Sequence, residues 1–188
     1  MSKTKNHIPG EVGIWVFILG DMLVFGLFFL VFVYYRGLDV ELYRQSQAAL
    51  NQHYGAFNTL LLLASSWFVV MAVESARAAS GKQAARLFSL ALLCGAGFGA
   101  VKFIEYSEKL AAGITITSND FFMYYYIFTG LHLLHVVIGM GVLTFLIIKT
   151  RSPQFQASDM VLMESGASFW HLVDLLWIVL FPLLYLMK

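Results

Sequence analysis

Charge is scarce in this chain. Asp, Glu, Lys and Arg make up 12% of its 188 residues, against about 25% in a soluble domain. With 60% hydrophobic residues and a mean hydropathy of +0.76, too little polar surface remains to coat a water-soluble globule. The composition is that of an integral membrane protein. The net charge of +1 offers no basic surface and excludes a nucleic-acid partner. Cysteine is nearly absent: Cys94 stands alone in an apolar run, which excludes an intramolecular disulfide and a cysteine-based zinc site. Also missing are a serine or cysteine nucleophile beside a base, an H-E-x-x-H motif and a Gly-rich phosphate loop. No internal repeat, low-complexity tract or second domain is visible, so residues 1–188 read as one domain.

What the chain does have is five long apolar runs, near residues 12–35, 54–75, 85–105, 121–148 and 160–187. Each is long enough to cross about 30 Å of hydrocarbon as a helix. Transmembrane strands would instead show short alternating stretches. The expected fold is therefore all-α, a polytopic bundle of five transmembrane helices. The first run is too long for a signal-peptide core and lacks a small-residue cleavage pattern, so it reads as a retained span. The connectors "RGLDVELYRQSQAALNQH", "ARAASGKQ", "SEKLAAGITITSND" and "KTRSPQFQAS" hold most of the charge, with Pro153 in the last.

Orientation follows from the basic residues. Lys3, Lys5, Arg77, Lys82, Arg86, Lys149 and Arg151 fall on the side of the N-terminus, and Arg36, Arg44, Lys109 and Lys188 on the other. Seven against four places the N-terminus in the cytoplasm and the C-terminus outside. Trp15, Tyr34, Tyr35, Tyr54, Tyr106 and Tyr185 lie near span ends, where interfacial aromatic belts form. Glu74 and Arg77, at an inner boundary, read as a solvated face.

Seven ionisable residues fall within or close to the spans: Asp21, Lys102, His132, His135, Glu164, His171 and Asp174. An ionised group at the bilayer centre costs at least about 2.5–3.5 kcal/mol, so each must face protein, water or a partner. Counting residues from the span ends puts His132 and His171 near one depth, Asp21 not far from it, and Lys102 and Asp174 in the outer half. His132, His135 and Gly139 share one face of the fourth span, and Glu164, His171 and Asp174 share one of the fifth. On the third, Gly95, Gly99, Lys102 and Tyr106 align, so a close-packing face leads into a lysine. An ion pair with Glu105 or Asp174 is the plain reading for Lys102. For Asp21 two readings stand: a proton-linked carboxylate, or a hydrogen bond to a neighbouring helix.

Three classes of function fit these residues. One is a packed subunit with an internal polar seam. A second is an independent intramembrane metal-binding protein using His132, His135 and His171, with Glu164 in reach. Haem fits less well, because paired haems want histidines at two depths. The third is a small transporter, against which the absence of an inverted repeat and of Gly/Pro-broken helices counts.

Family resemblance narrows this. "TGLHLLHVVIGMGVLTFLI" resembles a helix of subunit III of the haem-copper respiratory oxidases, with two histidines followed by Val and Gly. "ESGASFWHLVDLLWIVLFPLLYL" is similar to that family's last helix through Glu164, Trp170, His171, Val173, Asp174, Trp177 and Tyr185. "FNTLLLLASS" resembles its Asn-Thr…Ala-Ser helix, and Glu105 with Tyr106 its Glu-Tyr segment. The longer members have seven helices, of which this chain resembles the last five. Asp21 stands where those members bury a glutamate, and Lys102 where a glutamine is common. "HIPGEVGIWVFILGDMLVFGLFF" looks most like the subgroup associated with nitric oxide reductase.

The resemblance implies an accessory subunit that carries no redox cofactor and docks beside a catalytic subunit holding haem and metal. It also implies support of turnover and proton uptake there, and lipids in a cleft between the first helices and the rest. The implied setting is the inner, cytoplasmic membrane of a bacterium. The implied interhelical network is Lys102, Glu105, His132, His135, Glu164, His171 and Asp174, with Gly95, Gly99 and Gly139 as packing positions. His171 and Asp174 would act as a clasp on the last helix.

Overall fold

A computed structural model describes residues 10–152, 155–156 and 159–187. Lys3, Lys5, Pro153 and Lys188, invoked above for orientation or as a connector, lie outside the described residues. The chain forms α1 (Val12–Leu38), α2 (Val40–Ala48), α3 (Gln52–Arg77), α4 (Gly81–Ala111), α5 (Asp120–Arg151) and α6 (Met160–Phe181). Helix α6 continues into a π-helical turn, Pro182–Leu186. Among the described residues there is no strand, and five helices are long and apolar enough to cross a membrane.

Capping residues fix where these helices start. Leu42 donates its N–H to Asp39 Oδ1, His53 to Asn51 Oδ1 and Phe122 to Asn119 Oδ1, each satisfying a backbone donor that a helix start leaves free. Asp120 in the first turn of α5, and Lys149 and Arg151 in its last, complement the helix dipole.

Helices α3, α4, α5 and α6 close into a four-helix ring in which each packs on two neighbours. Side chains of α6 fill its centre. Trp170 lies against Gly95 of α4 and Gly139 of α5, where an added Cβ would come within 2.9 and 2.7 Å of its indole. Glycine is required there by close approach, because any side chain would have to share the space of the ring. Helix α1 lies outside the ring, mainly along α6, with an aromatic seam to α5 through Phe25, Phe28, Phe29 and Phe32. Its other faces are exposed Leu, Val and Phe, as a lipid-facing helix requires.

Two elements differ from the sequence reading. The first long connector contains α2, an amphipathic helix whose Tyr43 packs on Phe32 and Phe121 at ring distances of 5.4 and 5.8 Å. Its apolar positions are too few for a hydropathy signal, but Asp39 as a cap with Glu41 behind it was a legible start. The last span does not run to its end as an α-helix. Met187 N–H donates to Pro182 O, the i→i+5 bond of a π-turn. Proline there has no N–H to give and cannot continue the ordinary ladder.

The glycine face of α4 is also shorter than expected. Gly95 is buried against Trp170, but a Cβ at Gly99 would meet nothing within 4 Å, so Gly99 makes no close contact within the chain. Gly97, one position off that face, approaches Leu61 of α3 instead.

Candidate functional site

Polar residues at membrane depth form four assemblies rather than one seam, the first two meeting at Trp177. The first is built on Lys102, which is completely buried. Its Nζ donates to Glu105 Oε2 at 2.9 Å and to Tyr185 Oη at 2.8 Å, and Tyr185 O–H donates to Glu105 Oε1 at 2.7 Å. Tyr125 Oη lies 3.5 Å from Nζ. The rings of Tyr125, Trp177, Tyr185 and Tyr106 surround the ammonium at 5.0–5.7 Å. Each charge thus has its counter-charge and hydrogen bonds, which is what makes burial of both tolerable. Of the two partners weighed for Lys102, the structure selects Glu105.

Tyr185 and Tyr106 are therefore not belt residues. Tyr185 is fully buried in this network, turned inward by the π-turn, and Tyr106 hydrogen-bonds Thr129 inside the bundle. Tyr34 and Tyr35 do stay exposed at the end of α1. The π-turn leaves backbone carbonyls without helical partners, and side chains claim them. Gln47 Nε2 donates to Leu184 O, Gln52 Nε2 to Tyr185 O, and Arg36 to Met187 O. This ties α1, α2 and α3 to the chain's last turn.

The second assembly joins α6 to α3. Trp170 Nε1 donates to Ser65 Oγ at 3.1 Å, and Ser65 O–H in turn donates to Ala91 O at 2.8 Å. His171 Nδ1 lies 2.7 Å from Ser66 Oγ. Two turns on, Trp177 Nε1 donates to Thr59 Oγ1 at 3.0 Å. Asp174 is buried, and its Oδ1 has no hydrogen-bond partner among the described residues. Ser65 and Ser66 entered the sequence reading only as part of the Asn-Thr…Ala-Ser stretch, with no role given to them. Their spacing of seven from Asn58 and Thr59 on one helix was the available signal.

The third assembly is Asp21 with His135. His135 Nε2 lies 3.2 Å from Asp21 Oδ1, and its Nδ1 lies 2.8 Å from Leu131 O. The Phe25 ring meets the imidazole edge-on at 5.6 Å.

The fourth sits at the end of the bundle where the N-terminal segment enters. Glu164, 8% exposed, receives Arg77 on Oε1 at 2.7 Å and the Gly10 N–H on Oε2 at 3.0 Å. Glu11 N–H donates to Ser165 Oγ at 3.0 Å. Gly10 has φ of 78° and lies against Ser165, where an added Cβ would come within 2.8 Å of its hydroxyl; only glycine takes that turn freely. Arg77 is thus more than part of a solvated face: one side of its guanidinium binds a buried carboxylate.

His132 belongs to none of these. It is fully buried between Phe98 and Trp177, with ring centroids at 5.4 and 5.3 Å, and neither nitrogen has a partner among the described residues. Counting from span ends put it level with His171. Packing instead sets it beside Trp177, six residues further along α6, or roughly 9 Å at helical rise. The starts of the two spans, 121 and 160, agree with the observed helices within one residue; what counting leaves out is how far one helix slides along the other.

The three histidines accordingly point to three places: Phe98 and Trp177, Asp21, and Ser66. Among the described residues no group of three or more His, Cys, Asp or Glu is arranged to hold a metal ion. On the membrane-facing side, a cleft of about 550 Å³ opens between α1, α5 and α6, lined by Ile14, Phe17, Val142, Phe145, Leu162 and Phe169 among others.

Five spans, a central tryptophan locked between glycines and ion pairs internal to the bundle define a polytopic membrane subunit whose polar chemistry is spent on joining helices. The chain belongs to the family of cytochrome c oxidase subunit III, whose model matches residues 6–188. It is 28% identical to the probable cytochrome c oxidase subunit 3 of Nocardia farcinica, over 95% of this chain and 88% of that one. It is 33% identical to the cytochrome c oxidase subunit 3 of Coturnix japonica, over 68% of this chain and 48% of that one. It is 29% identical to the heme-copper oxidase subunit I+III of Aeropyrum pernix, over 92% of this chain and 22% of that one. The chain is thus an accessory, non-catalytic subunit of a haem-copper oxidase, associated with its catalytic subunit in the membrane.

Proposed function

We propose that this chain sits in the inner membrane of a bacterium, with its N-terminus in the cytoplasm, and sustains assembly, stability and proton uptake of the catalytic subunit beside it. The observation that carries this reading is the family match over residues 6–188, in a chain where Lys102 pairs with Glu105, His171 with Ser66, His135 with Asp21 and Glu164 with Arg77. The Aeropyrum pernix relative, whose name joins subunits I and III, supports the partner. The excess of basic residues on the side of the N-terminus supports the orientation. The apolar cleft beside α1 supports lipid acyl chains as structural ligands. Asp21, Lys102, Glu105, His135, Glu164 and His171 serve through their contacts to fix helices against one another, and the buried His132 and Asp174 through packing, with Gly95 and Gly139 letting the helices approach. The start of the chain resembles the subgroup associated with nitric oxide reductase, so the terminal acceptor is oxygen or nitric oxide according to the partner.

Purification of the tagged chain from its native membrane tests this. Recovery with a haem-containing catalytic subunit, identified by mass spectrometry and a visible spectrum, is expected, and that partner's identity decides the acceptor. Recovery of the chain alone would sink the reading.

A further inference from the structure

Helix α6 is left uncovered along one face. α1 and α3 both pack on α6 but hardly on each other. Toward its C-terminal end α1 leans away onto α5 through Phe28 and Phe32. Between α1 and α3 runs a groove with α6 as its floor. Two adjoining cavities of about 270 and 260 Å³ mark it, and they share Trp15, Ser168 and His171. The first reaches Glu74 and Arg77, at the end where the N-terminal segment enters. The second reaches Met22, Leu172 and Leu175. Beyond them the same face of α6 continues. Ser168, His171, Leu175 and Ile178 recur at three- and four-residue steps, and Leu175 and Ile178 are 43% and 40% exposed. Leu63, Ser66 and Val70 repeat that spacing on the α3 wall. Two rows at this spacing with a gap between them are what a further helix packs into.

Polar groups decide what fills the gap. His171 has Nδ1 on Ser66 Oγ, and its Nε2 has no partner among the described residues. Ser168 Oγ, one turn earlier on the same face, has none either. Counted from Met160, the two lie roughly 12 and 16 Å into the span. At that depth an acyl chain offers no hydrogen bond, and a polar group left facing it is costly. We propose that this groove seats a transmembrane helix of the catalytic subunit, whose side chains hydrogen-bond His171 Nε2 and Ser168 Oγ. That seat rests on the accessory role and adds which face of the chain meets the partner. A second copy of this chain fits worse, because a two-fold contact would set one concave groove against another. At the groove's end Arg77 keeps one side of its guanidinium on Glu164 and exposes the rest. The seated helix meets it there with a carboxylate or with its own free terminal carbonyls.

Photocrosslinking in the native membrane tests the seat. A benzophenone amino acid at Val70 or Leu175 puts the probe in the groove. One at Leu93, 68% exposed on α4 across the ring, is the control. Complexes are recovered through a tag on this chain, and adducts are identified by mass spectrometry. Val70 and Leu175 are expected to crosslink to one transmembrane helix of the catalytic subunit, and Leu93 is not. Adducts to phospholipid alone, adducts to a second copy of this chain, or no protein adduct from either groove position in a complex that holds the haem subunit would each overturn the proposal. Ser168→Trp fills the groove from its floor and should lower the amount of haem subunit recovered, while Leu93→Trp should leave it unchanged. Equal recovery with both would also overturn it. Should Ser168→Trp fail to accumulate in the membrane, Val70→Trp narrows the same groove from α3 and is read the same way. Absence of any haem subunit beside the unsubstituted chain would instead strike the accessory reading itself.

Discussion

A lysine with no accessible surface in a membrane protein is explained by what touches it. Lys102 has Glu105, Tyr185 and a box of aromatic rings. Removing one charge strands the other, so Lys102→Met should destabilise the chain by about 3–5 kcal/mol. The double variant with Glu105→Gln should recover a large part of that loss in thermal unfolding of the solubilised protein. Equal loss in both variants would mean that packing, not charge, is what Lys102 supplies. At the opposite extreme of exposure, Arg44 and Gln45 hydrogen-bond Glu41 on α2 and hold its carboxyl down at about 2, against an ordinary 4.5. A depressed carboxyl stabilises the folded form above its ordinary range, and that contribution is lost as pH falls through about 2. Being exposed, it is also weakened by salt. Arg44→Ala should return the Glu41 titration, read by carbon NMR, toward the ordinary value; an unchanged titration would show that Gln45 alone holds it.

Packing of whole helices turns on single glycines, and the structure separates those that matter. Gly139 has the Trp170 ring where a Cβ would sit, at 2.7 Å, while the space around Gly99 is open. Gly139→Ala should therefore cost about 1–3 kcal/mol through overpacking. Gly99→Ala should cost nothing and add up to about 1 kcal/mol from helix propensity. Matched thermal melts decide it, and equal losses would mean that Gly99 meets a partner helix in the complex. Helix α2 and the π-turn together close one end of the bundle, because Gln47 is buried with its amide on the Leu184 carbonyl. Gln47→Leu leaves that carbonyl unpaired, and a loss of about 1–3 kcal/mol is expected. Hydrogen exchange at residues 184–187 should rise in that variant.

For the molecule as a whole, the outcome of greatest interest is retention in its complex. His171 contacts Ser66 across the α3–α6 interface and touches none of the other assemblies. His171→Leu should lower the amount of this chain that copurifies with the catalytic subunit while leaving the haem spectrum intact. Loss of a bound haem in that variant would overturn the structural role and revive a ligand role for the imidazole.

Scarcity of charge and five apolar runs were enough to determine an all-α membrane bundle, because hydrocarbon admits only helices or closed barrels and the runs have helical length. The motif around Trp170, His171 and Asp174 was enough to point to the family. What the sequence left open is which polar group meets which. Lys102 had two candidate carboxylates, and only packing brought Glu105 and Tyr185 to it. Glu164 took Arg77 from a helix more than eighty residues earlier. His132 and His135 on one face of α5, and His171 on α6, went to three environments, since what each meets depends on how far the neighbouring helices slide past one another. Sliding is set by the fit of Trp170 between Gly95 and Gly139, a matter of steric volume in three dimensions that no residue spacing along one helix encodes.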